Sequence, residues 1–372
     1  MSQIDISTIV APCIRDLDVY VPGRLIEDVL EEAGLSSAIK LASNENSLGP
    51  SPKAIEAVSK ALGGLAKYGD ADSRRLRQAI SLKTGHPVEG ILAGNGSSEF
   101  ILVISHALLQ PGLSAVMSRP SFTLYAKNAQ AAGAEVREIP LGPDYGHDLN
   151  KIVQNVDLNT RLVFVDNPLN PTGAYLGPEK VLALLEQLPQ TTLLVLDEAY
   201  IDFCRAPRPD YASLLATGRV VILRTFSKIF GLAGLRAAYA LLDPKLAAEL
   251  NKVRQPFNLN NLAQIAITAA LNDQEHLLAT LAMNADSMNR FGQQLPALGL
   301  TVYPTEANFI MVGLPSSLTA DALVAALLKE GVIIRSLKSF GLPHHVRINA
   351  GTPHELDVLF AALQKVMAAS GR

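Results

Sequence analysis

Scarcity is the first property of this chain. Its 372 residues hold two cysteines, Cys13 and Cys204, no tryptophan, and only 18% charged side chains. Two cysteines this far apart argue against a disulfide framework or a cysteine-built zinc site, and they fit a reducing compartment. The formal net charge of -3 leaves no basic footprint for nucleic acid or an anionic membrane surface. No apolar run reaches membrane-spanning length, and the opening MSQIDISTIVAPCIRDLDVY lacks the basic-then-apolar pattern of a signal peptide. Low-complexity tracts and internal repeats are absent too. A soluble cytoplasmic protein is expected.

What is present is apolar residue in quantity, 48% of the chain, enough for a large core and comfortable for two domains. Short apolar runs alternate with helical patterns. RLVFVDNP (161–168), TLLVLDEAY (192–200) and RVVILRTFS (219–227) read as buried strands ending in polar residues, with a helix over 177–188 between the first two. Continuous apolar strands in β–α alternation predict a parallel, doubly wound sheet, whose ligands gather beyond the strands' carboxyl ends. After about residue 270 the pattern changes to a long helix, then LTVYPTEANFIMVGL, a helix at 320–330, VIIRSL and HHVRINAG. This predicts a smaller α+β unit, joined by the N-terminal forty residues, with a hinge near RQPFNLNNLAQ (254–264).

The strand ends carry the chemistry. Asp197 closes an apolar run, where a carboxylate is costly unless paired; it serves as a helix N-cap or holds a bound positive charge, such as a protonated pyridine nitrogen. Lys228 follows the next run. It is either a strand-end lysine reaching water or, with burial and Arg236 lowering its pKa, the neutral amine that a Schiff base needs. Thr225, Ser227 and Arg236 around it suit a phosphate. LAGNGSSEFILVISHAL (92–108) is a glycine-rich turn running into a helix; it is an ordinary capped turn, or it aims the N–H groups of Gly96, Ser97 and Ser98 at an anion. DNPLNPTG (166–173) holds Asn170 in a proline-locked loop, either a plain turn or an amide donor to a ring oxygen.

Taken together, these segments resemble the fold-type I enzymes that use pyridoxal 5'-phosphate, and among them the histidinol-phosphate aminotransferases. TFSKIFGLAGLR resembles the family's lysine signature; DEAYIDF, NPLNPTG and GNGSSE stand in the expected order, and YVPGR, KLASNENSLGPSP, VIIRSL and VRINAGTPHE extend the resemblance over nearly the whole chain. It implies a large doubly wound, mostly parallel domain over 41–265 and a small α+β domain from 1–40 and 266–372. It implies transamination between L-histidinol phosphate and 2-oxoglutarate by a homodimer, with threonine-phosphate decarboxylation or aromatic amino-acid transamination as rivals on the same scaffold. A PLP-binding regulatory domain is the rival from another class; with the resemblance starting at YVPGR (20–24), no room for a DNA-binding extension is expected.

Residue by residue, the resemblance makes Lys228 the Schiff-base lysine and general base, and Asp197 the partner of the pyridine nitrogen. Asn170 and Tyr200 would hold the ring's phenolate oxygen; Ser97, Ser98, Thr225, Ser227 and Arg236, with Gly96, would form the phosphate cup. Phe122 would stack on the ring where relatives commonly have tyrosine, and Leu169 likewise replaces a more polar residue. Tyr68, in KYGD, would reach the neighbouring subunit's cofactor phosphate, while Tyr20, Asn308, Arg335 and Arg347 would face the substrate. The glycines after Lys228 are expected to let the backbone approach the cofactor.

Overall fold

The computed structural model describes residues 4–19, 26, 30–31, 34–35 and 37–369. Its strands are β1 (Ile39–Lys40), β2 (Ile91–Gly94), β3 (Ser114–Arg119), β4 (Glu135–Pro140), β5 (Thr160–Asp166), β6 (Leu193–Asp197), β7 (Val220–Thr225), β8 (Ala238–Leu241), β9 (Thr301–Val302), β10 (Phe309–Gly313), β11 (Val332–Ile333), β12 (Arg335–Ser336) and β13 (His345–Asn349). Seven of them form one sheet in the order β2-β8-β7-β6-β5-β3-β4. Only β8 runs antiparallel to its neighbours. Leu162–Val165, Leu194–Leu196 and Val220–Leu223 are buried throughout because helices cover both faces, which is why these strands read as unbroken apolar runs. The fold is α/β and doubly wound, as the alternation of runs predicted.

The order of strands sets where the site lies. From β3 the chain steps outward to the β4 edge; from β5 it steps the other way, through β6 and β7. The loops after β3 and β5 therefore part company at their carboxyl ends and leave a crevice between them. In the same register Asp166, the last residue of β5, stands opposite Asp197, the last residue of β6. Helix Ser97–Leu108 starts immediately after Gly96, whose φ of 85° turns the chain from β2 into it.

A second sheet, β12-β13-β10-β9, is antiparallel. It packs against helices Gln274–Ala297 and Pro353–Ala369 around a core including Leu41, Phe291, Ile310, Val346 and Phe360. The expected helix at 320–330 is Ala320–Lys329. We propose that the two units follow these cores, which shifts the expected boundaries. Ala263, Ile267, Leu271 and Leu277 pack into the core of the large sheet, so the crossing falls within helix Gln274–Ala297 rather than at residue 265. Near the N-terminus, helix Pro12–Arg15 lies against helix Leu124–Ala131 of the large sheet, with Cys13 Sγ 3.5 Å from the Ala131 carbonyl oxygen, and so does not join the smaller unit.

The glycines after Lys228 also need correction. Gly231 has a φ of 67°, and a Cβ there would collide with the Gly49 carbonyl oxygen, so the residue makes room for another stretch of backbone, not for a cofactor. Gly234 has open space around it. Gly231→Ala combines a left-handed backbone with a clash against main chain, and it is expected to destabilise the fold by roughly 2 kcal/mol or more. Gly234→Ala is expected to change the melting temperature little; thermal unfolding of the two variants checks the contrast.

Candidate active site

The crevice holds a cavity of about 250 Å³ lined by Ser97, Ser98, Phe122, Tyr125, Asp166, Asn170, Asp197, Tyr200, Thr225, Ser227, Lys228 and Arg236. Strand ends and the turns that follow them supply nearly all of these side chains, as the topology requires. Asp197 is 3% exposed. Its Oδ2 accepts the Tyr125 hydroxyl at 2.9 Å and its Oδ1 accepts the Ala199 N–H at 3.2 Å. Burial pushes its pKa up to about 6 despite those bonds. Tyr125 is itself fully buried, stacked on Phe164 with centroids 4.8 Å apart, and burial beside Asp197 raises its pKa far above the usual phenol value.

Lys228 follows β7 and points its Nζ into the same space, 5.6 Å from the centre of the Tyr200 ring. Burial, then the charge of Arg347 and more weakly that of Arg236, bring its pKa down to about 8, while Glu45 and Asp197 pull the other way. Tyr200 accepts a hydrogen bond from Asn44 Nδ2 at 2.9 Å, so its own proton is free to be donated elsewhere. Arg347 Nη1 donates to Asn170 Oδ1 at 2.5 Å, and its Nη2 donates to the Ala42 carbonyl at 2.9 Å. With the Asn170 oxygen occupied, the amide's N–H groups are the part that faces a ligand.

At the other end of the cavity the hydroxyls of Ser97, Ser98 and Ser227 have no hydrogen-bond partner among the described residues. Thr225 Oγ1 accepts the Ser227 N–H at 3.1 Å. Arg236 adopts a left-handed φ of 52° that brings its guanidinium over Gly96, where a Cβ would lie 2.8 Å from Nη2. Hydroxyls, a guanidinium and a helix N-terminus thus converge on one anion-sized place.

A wider chamber of about 590 Å³ opens beyond Lys228, lined by Ala42, Ser43, Asn44, Phe122, Lys127, Asn170, Tyr200, Arg335, Phe340 and Arg347 among others. Arg335 and Arg347 stand opposite one another across β12 and β13. The Arg335 guanidinium makes no ion pair or hydrogen bond with a described residue. Asn308 is not among the residues lining either chamber. It is 2% exposed and donates from Nδ2 to the Asn44 carbonyl at 3.3 Å, one layer behind. Tyr68 also lines neither; it is 85% exposed and packs on Phe257 with centroids 4.8 Å apart. Tyr20 lies outside the described residues.

Sequence reasoning did not single out Tyr125, Asn44 or Asp166. Tyr125 stands three residues after Phe122 at the start of a helix, and Asn44, at a φ of 54°, lies within KLASNENSLGPSP; neither pattern by itself points to a cavity.

Residues 36–363 match the family described as aminotransferase class I and II. The chain belongs to that family. It is 41% identical over 361 residues to histidinol-phosphate aminotransferase 2 of Ralstonia nicotianae, covering 95% of this chain and 96% of that one. It is 40% identical to histidinol-phosphate aminotransferase 2 of Pseudomonas fluorescens, over 96% of this chain and 97% of that one. The crystal structure of histidinol-phosphate aminotransferase from Sinorhizobium meliloti, in complex with pyridoxal-5'-phosphate, superposes with a TM-score of 0.89 at 31% identity, over 97% of this chain and 98% of that one. The protein is thus a pyridoxal-phosphate-dependent aminotransferase of fold type I. The cavity fits that cofactor on its own terms. It offers a dry carboxylate with no cation bonded to it among the described residues, unpartnered hydroxyls around an arginine, and a lysine held near neutrality.

The two shifts have measurable consequences. In the cofactor-free protein, labelling of Lys228 by acetic anhydride is expected to rise with pH around an inflection near 8, well below an ordinary lysine at 10.5; competitive labelling read by mass spectrometry checks this. Asp197 binds its proton more tightly in the fold than the ordinary 3.8 of an unfolded carboxyl, so the cofactor-free protein loses stability as pH rises from about 4 to about 6. Asp197→Asn is therefore expected to raise the melting temperature of the cofactor-free protein at pH 7, by up to about 3 kcal/mol of stability, while abolishing most turnover.

Proposed function

We propose that this aminotransferase moves the amino group of L-histidinol phosphate to 2-oxoglutarate, giving imidazole-acetol phosphate and L-glutamate in histidine biosynthesis. Identity near 40% over almost the full length of enzymes named for that reaction supports the reading. The site observation that carries it is Arg335, a guanidinium without a partner among the described residues, in the chamber next to Lys228. A substrate carrying a dianionic ester suits such a group, since a planar fork takes two oxygens at once.

Bound pyridoxal phosphate supplies a pyridinium ring that takes up the electron pair left when the substrate's α-proton is removed. In this reading the chain's residues do the rest. Asp197 holds the positive charge at the ring nitrogen. Asn170 and Tyr200 donate to the ring's phenolic oxygen, and Phe122 covers one face by stacking. Ser97, Ser98, Thr225, Ser227, Arg236 and the N–H groups following Gly96 grip the phosphate. Lys228 would anchor the cofactor and then act as general base for the 1,3-proton shift, taking the α-proton and returning it on the far side of the bridging nitrogen, for which a pKa of about 8 suits an amine working near neutral pH. Arg347, already bonded to Asn170, receives the substrate anion that lies nearer the ring, and Arg335 the more distant phosphate.

We also propose a homodimer, working in the cytoplasm, in which Tyr68 completes the partner's phosphate cup. Its support is a set of exposed apolar side chains, Leu62, Leu65, Tyr68 and Phe257, of which Tyr68 and Phe257 pack on one another. Among the described residues no helix is long and apolar enough to cross a membrane.

Wild type is expected to prefer histidinol phosphate strongly over histidinol, and Arg335→Ala to lose roughly 10- to 150-fold in kcat/KM for the phosphate ester alone. Steady-state kinetics with both donors check this; equal use of both donors, or release of carbon dioxide from threonine phosphate, would replace the substrate assignment. For the dimer, mixing inactive Lys228→Ala chains with inactive Tyr68→Ala chains is expected to restore activity through hybrids, and a monomer in sedimentation of the active enzyme would rule it out.

A further inference from the structure

Asp166 is a buried carboxyl for which the reaction just described has no use. It ends β5 opposite Asp197, is 3% exposed, and lines the cofactor cavity. Its Oδ2 accepts the Asn170 backbone N–H at 3.0 Å, and the Phe122 backbone N–H also favours its charged form. Those two N–H groups belong to the loops that diverge after β5 and β3, and they carry the amide for the ring oxygen and the aromatic face that covers the ring. Oδ1 has no hydrogen-bond partner among the described residues.

The groups around Asp166 do not neutralise it. His147, in the loop after β4, lies 3.7 Å from Oδ1, but its Nε2 donates to the Asp166 backbone carbonyl at 2.9 Å and its Nδ1 accepts from Ser118 Oγ at 2.7 Å. Burial holds that imidazole at about 4, so it is uncharged at neutral pH. Tyr125 and Tyr200, from the helix after β3 and the turn after β6, add only phenols. Asp197 is the remaining neighbour, and it is a carboxylate. Two like charges ending adjacent strands in a dry site cannot both persist. Burial first, then Asp197, raise the Asp166 pKa well above the carboxylate range, whereas Asp197 stops near 6.

We propose that Asp166 is a positioning residue whose carboxyl holds the Asn170 loop beneath the cofactor ring and, by carrying a proton, leaves the pair's single negative charge on Asp197. This rests on the cofactor and not on the substrate, so the test uses no substrate. Asp166→Asn keeps an acceptor oxygen without the charge; Asp166→Ala removes both. Each full-length variant is titrated with pyridoxal phosphate and followed by visible absorbance across pH, and the cofactor-free proteins are melted in parallel. The Asn variant is expected to bind within about threefold of wild type with an unchanged pH profile of the bound chromophore. The Ala variant is expected to bind roughly tenfold more weakly, about 1.4 kcal/mol, with no loss of melting temperature in the cofactor-free state. Wild-type affinity in Ala, or a loss matched by a lower melting temperature, overturns the positioning role. A displaced chromophore profile in Asn overturns the protonated state. If Ala fails to fold, the affinity and profile of Asn decide both points.

Discussion

Burial of the Asp197 carboxylate at the end of a central strand is the constraint on which the site depends. The fold gives that group a tyrosine hydroxyl and one backbone N–H but no hydrogen-bonded cation among the described residues. Its charge is therefore incompletely compensated, which is what makes a positively charged ligand the proposed partner. The same dryness acts in the opposite sense on Lys228, lowering a base while it raises an acid. Acid and base are drawn toward one another on the pH scale by a single physical cause, desolvation.

The sheet makes this arrangement cheap to hold. Parallel strands covered on both faces bring Asp166 and Asp197 to an end in register, while β7 runs on past Leu223, the partner of Asp197, to Thr225, and the turns beyond them enclose the cavity. The antiparallel sheet reaches across through several side chains, among them Phe309 packed on Tyr200 and the hydrogen-bonded Arg347. Arg347 bonds both the Asn170 amide and the Ala42 carbonyl, so the arginine proposed for substrate recognition also sets which way that amide faces. Asn44 does similar service for Tyr200, and Asn308 holds Asn44 from behind. The contacts proposed for substrate and for cofactor share one hydrogen-bonded network, so a change in one is expected to affect the other.

Much of this was legible in the chain. Val163, Leu194 and Val221 belong to runs that are apolar at every position because helices press on both faces, and such a run announces a parallel sheet. The polar residue at each run's end then marks a site, since a carboxylate or lysine there has a cost that function must offset. The turns around Gly96 and Asn170 were readable as candidates for the same reason, although each alone was equally consistent with an ordinary turn.

Sequence by itself determined the sheet, its strand ends, and the chemical inventory of Lys228, Asp197, Arg236 and the hydroxyls, because local periodicity and burial cost are written in neighbouring residues. Only tertiary structure decided what depends on distance between segments. It put Tyr125 against Asp197, Asn44 against Tyr200, and Asp166 beside Asp197, pairs separated by tens of residues or more. It moved Asn308 behind the cavity and left Tyr68 on the surface of the chain. It also gave Gly231 a neighbour at Gly49, far away in the chain, in place of a cofactor. Each of these outcomes follows from which loops the strand order brings together, and strand order is a property of packing that no single stretch of sequence contains.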